Sequence, residues 1–89
     1  MHTKTWSVEI FISDHDDGTT GAEAVLHTTN GNVLRHHATA RRNSGDRDVP
    51  EIGEELATCR ALTGLAQDLF EATIIDIEDN TGREAGITG

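Results

Sequence analysis

Aromatic residues are scarce in this chain: Trp6, Phe11 and Phe70 are the only three among 89 residues, and tyrosine is absent. The apolar fraction is 35%, and much of it is alanine, which buries little surface per residue, so the core must be thin. One domain is expected at this length, near the size at which a single core begins to suffice. Domains this light often gain stability by self-association, a first indication of a dimer. Cysteine occurs once, at Cys59; an internal disulfide is excluded, and a reducing, cytoplasmic setting is the simple expectation. No apolar run approaches the roughly 20 residues of a membrane span. The opening MHTKTWSVEIFISDHD has no uninterrupted apolar stretch before a cleavage site, so a secretory leader is not expected either.

Positive charge is also in short supply. Seven Lys and Arg stand against sixteen acids, a net charge of −9. The imbalance is local: Met1–Arg42 carries four cations against five acids, and the chain from Asn43 onward carries three against eleven. Such a chain repels phosphate backbones overall, because nucleic-acid affinity comes mainly from cations displacing condensed counterions.

What is present reads as three strands and a helix. In WSVEIFIS, Trp6, Val8, Ile10 and Ile12 alternate with Ser7, Glu9 and Ser13, the period of a half-buried strand, with Phe11 on the wet face. Asp17-Gly18 suits a turn. GAEAVLHTT then places Ala22, Ala24 and Leu26 on one face and Glu23, Val25 and His27 on the other, and VLRHHATARR follows an Asn30-Gly31-Asn32 break. A three-residue loop at that break, with Gly31 or Asn32 at positive φ, pairs Leu26 with His36, Ala24 with Ala38 and Ala22 with Ala40. The small residues form a shallow trough that a helix can approach closely.

The stretch GDRDVPEIGEELA is punctuation for that helix. Asp48 can cap it, Glu51 completes a capping box, and Pro50 sits in the first turn, where its missing N–H costs nothing. Glu51, Glu54 and Glu55 crowd the positive end of the helix dipole. Ile52, Leu56, Cys59, Leu62, Ala66, Leu69 and Phe70 fall on one stripe, the face expected to meet the sheet, with Cys59 as a small buried hydrophobe. Running to about Asn80, the helix outreaches a ten-residue strand, so its end, with Ile75 off the stripe, overhangs. The expectation is α+β: a three-stranded antiparallel sheet (β-β-β-α) with one long C-terminal helix on one face. It forms one domain over residues 1–80, and residues 81–89 form a loose tail.

Sites for chemistry are missing. An EF-hand loop from Asp14 needs glycine sixth and glutamate twelfth, whereas Gly18 is fifth and Val25 twelfth. His36 and His37 are adjacent on a strand and point to opposite faces, so they cannot share one ion. His27 and His37 share the outer face with Arg35, a poor neighbour for a cation. His36, facing inward, reads as a core-edge histidine with a hydrogen-bond partner. No nucleophile elbow, dinucleotide fingerprint or phosphate loop occurs. The expectation is therefore no catalysis, no cofactor, no metal and no small-molecule substrate. The candidates for interaction are the outer sheet face, with Phe11, Val25, Arg35, His37 and Arg41 followed by Arg42, and the overhang at Ile75. That face can be read as solvated cross-strand pairs or as an interface.

W-x-V-E, L-H-T, the NGN turn and above all DRDVPEIGEELA-x-x-RAL-x-x-LA resemble a small actinobacterial family of unknown function, from about Trp6 to Ile77. The resemblance implies a fold grouped with double-stranded-RNA-binding-like domains, a dimer, and a likeness to ribosome hibernation factors suggesting stress or dormancy; it brings no catalytic residues. RNA binding does not follow from that grouping. The RNA-binding domains start with a helix and place lysines where this chain has Asp48, Glu51, Glu54 and Glu55. The leading expectation is a non-enzymatic, cytoplasmic, homodimeric interaction module. The alternative is a ribosome- or RNA-associated factor using Arg35, Arg41 and Arg42, which the overall charge disfavours.

Overall fold

Strand alternation, two turns and a capped helical period combine in the computed structural model, which describes residues 1–41 and 49–81. Strands β1 (Ser7–Asp14), β2 (Thr19–His27) and β3 (Val33–Arg41) are antiparallel neighbours in the order β1-β2-β3, and helix α1 (Pro50–Thr81) packs on one face. The expected β-β-β-α order is the observed one. Pro50 is the first helical residue and Glu51 lies in the first turn. The expected cap Asp48, Arg42 and nearly all of the expected tail lie outside the described residues.

The first turn is built by Asp17. Its carboxylate accepts a 2.9 Å hydrogen bond from the Thr19 backbone N–H, and Gly18 takes φ 84, a conformation that glycine adopts without strain. That backbone bond, then the Thr19 hydroxyl, hold the Asp17 carboxyl below its usual range.

The second turn corrects the expected register. Leu26 faces Leu34, Ala24 faces His36 and Ala22 faces Ala38, two residues from the expected pairs. The loop has three residues, with Gly31 at φ 84, but it is Thr29-Asn30-Gly31 and lies one position earlier than expected: the Thr28 N–H donates to the Asn32 carbonyl at 3.1 Å and the Gly31 N–H donates to the Thr28 carbonyl at 3.3 Å. A slip of two keeps every side chain on its face, so the alternation could not reveal it.

The face of α1 is the larger correction. The core joins Ala22, Ala24, Leu26 and Ala40 of the sheet to Ala57, Ala61 and Leu65 of the helix. Of the expected stripe, only Leu69 is packed against it; Ile52, Leu56, Cys59, Leu62, Ala66 and Phe70 are exposed. The physical reason is close approach. A trough floored by alanine admits a ridge of small residues, whereas leucines there would lift the helix and open voids. Gly53, Ala57, Ala61 and Leu65 recur every four residues to supply that ridge. Contact is so tight that a Cβ on Gly53 would meet the Thr20 hydroxyl at 2.8 Å, and one on Gly64 would overlap the His36 ring.

Candidate functional site

The outer face of the sheet holds most of the residues singled out from sequence. Phe11 is exposed, and Arg35 and Arg41 project into solvent from β3. Val25 is not exposed as expected: it is 3% accessible. It sits at the centre of the middle strand, with Glu9 and Arg35 as its cross-strand neighbours, whose aliphatic stems can cover it. His37 lies opposite Glu23, with its ring against Gly21. Arg35 comes to 3.9 Å from Glu23. His27 Nε2 lies 2.7 Å from Glu9 Oε1 but out of line for a hydrogen bond. The face is thus an alternation of opposite charges, with Phe11 and Val33 as its exposed apolar members. Exposed ion pairs of this kind contribute about 0–1 kcal/mol each.

The other face carries a surface that the sequence reading missed. One helix, about 10 Å across, covers roughly two strands spaced about 4.8 Å apart. Here α1 lies over β2 and β3 and only grazes β1. The inward row of β1 is therefore only partly covered: Ile10 packs against the core, but Trp6, at 51% exposure, continues the row, and Val8 and Ile12 are half-exposed. Beside that ledge rises the flank of α1. At about 100° per residue, Ile52, Cys59, Ala66 and Phe70 point away from the sheet, and Leu62 points toward the β1 side. Ledge and flank meet in an open cleft of about 500 Å³ lined by Ile12, Thr58, Cys59 and Leu62, with Glu51, Glu54 and Glu55 at the helix start. A count of strands against helix width was the available signal.

The acidic end of the cleft is strained electrostatically. Glu54 shares a hydrogen bond with Asp14, and this raises its carboxyl above the usual glutamate range; repulsion from Asp14, partial burial and Glu51 push it the same way. Thr20 donates to Asp14 Oδ1 at 2.9 Å. Among the described residues no group of three or more His, Cys, Asp or Glu converges as a metal-binding set. Nor is any helix there long and apolar enough to cross a membrane. Ile75 is exposed although it shares the azimuth of Ala57, because α1 has outrun its sheet by that point.

Fold and surface together define a small α+β domain with one apolar face left uncovered. The chain belongs to the Rv2632c-like family, which matches residues 4–86. It is 39% identical over 80 residues to the "Uncharacterized protein Mb1767" of Mycobacterium bovis, covering 90% of this chain and 83% of that protein. It is 40% identical over 78 residues to the "Uncharacterized protein Rv2632c" of Mycobacterium tuberculosis, covering 88% of this chain and 82% of that one. Neither name carries an activity.

Proposed function

We propose that this protein is a non-enzymatic, homodimeric interaction module of the cytoplasm. One observation carries the reading: Ile52, Leu56, Leu62 and Phe70 of α1 are exposed, Phe70 at 47%, and lie off the face that packs on the sheet. A monomer with a core of alanines and two leucines has little stability to spare, and covering this surface supplies more. The histidine pairs do not favour catalysis, since His36–Asp68 lies in the helix–sheet seam and His27–Glu9 on a mixed-charge surface. The stress or dormancy setting implied by the family resemblance belongs to this proposal as context for the partner. Sedimentation equilibrium at micromolar concentration tests it. A mass near twice 9.6 kDa is the expected result, and a monomer at all concentrations overturns it.

A second reading has one observation in its favour: Arg35 and Arg41 are exposed on a single face. In that reading the strip, extended by Arg42, contacts ribosomal or duplex RNA in the manner of a hibernation-like factor. Binding must then weaken steeply with salt. Negligible retention on ribosomes and on duplex RNA at both low and high salt removes it. The carboxylates of Glu9 and Glu23 beside the strip weigh against it.

A further inference from the structure

We infer that the second copy seats its helix on the β1 ledge, reciprocally, so that the two helices lie side by side between two sheets. The inference rests on the homodimeric reading above and specifies its surface. The step is self-complementary in shape. Each copy offers a strand row beside its own helix, exposed at Trp6, Val8 and Ile12, and each offers a helix whose apolar flank has no sheet beneath it. A two-fold rotation places each flank over the other copy's ledge, so the same patch is used twice, as an isologous interface requires.

Area supports the same occupant. Trp6, Val8 and Ile12 on the ledge, with Ile52, Leu62 and Phe70 on the helix, are each about half exposed. Together they present on the order of 600 Å², near the roughly 800 Å² that each partner contributes to a standard interface and at the upper limit of patches on monomers. Large apolar residues are few outside the described residues. Residues 42–48 (RNSGDRD) contain no large apolar side chain, and residues 82–89 contain only Ile87. Charge permits the arrangement, because the carboxylates of the cleft, Glu51, Glu54 and Glu55, gather at its helix-start end. The middle of the patch is uncharged.

Trp6 is the only tryptophan and stands on the ledge, so the unmodified chain reports on its own interface. On dilution through the dimer dissociation range, Trp6 emission is expected to shift to longer wavelength in step with the loss of sedimenting dimer, and acrylamide quenching is expected to rise. Leu62→Glu and Val8→Glu, both at partly exposed positions, are expected to keep the circular dichroism of the fold. Each should weaken dimerisation at least about 30-fold, the loss of one strong anchor. Phe11→Glu, on the outer sheet face, is expected to leave it unchanged. A dimer whose Trp6 emission is independent of concentration overturns the inference, as does a Leu62→Glu dimer as tight as the parent. Either result leaves the homodimer standing, built through the outer face or by edge pairing of β1. A parent chain that is monomeric throughout overturns both.

Discussion

His36 Nδ1 lies 2.8 Å from Asp68 Oδ2 across the seam between β3 and α1. The ring reaches that position by lying over Gly64, where a Cβ would overlap it. The glycine, unfavourable by about 1 kcal/mol against alanine in a helix interior, is thus the space in which the histidine sits. Gly64→Ala is expected to lower the melting temperature despite its better helix propensity, with a net loss of about 1–2 kcal/mol from the displaced ring and its partner. In a His36→Ala background the same change should stabilise by up to about 1 kcal/mol, and the sign reversal in a double-mutant cycle is the measurement. Equal effects in both backgrounds refute the coupling.

Position on the helix should outweigh residue type. Ala61 is fully buried against the sheet, and Gln67 is exposed. Ala61→Leu adds apolar surface where no room exists and should cost about 1–3 kcal/mol. Gln67→Leu should stay within about 0.5 kcal/mol for folding. Urea denaturation at fixed protein concentration compares them. An Ala61→Leu protein as stable as the parent means the trough is wider than the structure has it.

Much of this architecture was legible because local rules acted alone. Alternation placed Ala22, Ala24 and Leu26 inward, and the Pro50–Glu51 signal located the helix start. The errors came where two elements had to be fitted together. The apolar stripe of α1 reads as the sheet-facing one because large side chains usually fill cores. The trough of alanines selected Gly53, Ala57 and Ala61 instead, and the largest side chains were left on the surface. Val25 reads as exposed from its alternation alone; only the register, with Glu9 and Arg35 on either side, shows why it is covered. The ledge at Trp6, Val8 and Ile12 is visible only when strand spacing is set against helix width.

Gly31 isolates a backbone effect. It takes φ 84 with nothing within 4 Å of the place a Cβ would occupy. Gly31→Ala therefore meets no neighbour and should still destabilise by about 1 kcal/mol, through the left-handed conformation alone. Gly31→Asn, which tolerates that region better, should cost less than alanine. Thermal melts of the three proteins order them; alanine equal to glycine refutes the assignment.

The pairing of Glu54 with Asp14 gives stability a pH dependence of definite sign. The folded-state value of Glu54 is raised above its ordinary one, first by the hydrogen bond to Asp14 and then by the charge on it. The folded protein thus holds this proton more tightly than the unfolded chain does. Its stabilising contribution is present in full below the unfolded value, and it is lost as pH rises through the raised one. At neutral pH two carboxylates face each other instead. Glu54→Gln keeps a donor for Asp14 at every pH and carries no charge. The variant should melt higher than the parent near neutrality, and the gap should close as pH falls through the carboxylate range. Other carboxylates titrate in both proteins, so the difference between the two melting curves isolates this pair. Thermal melts between about pH 3 and pH 7 read it directly. A variant that melts lower than the parent at pH 7, or a gap that does not change with pH, shows that the two side chains do not share a proton in solution.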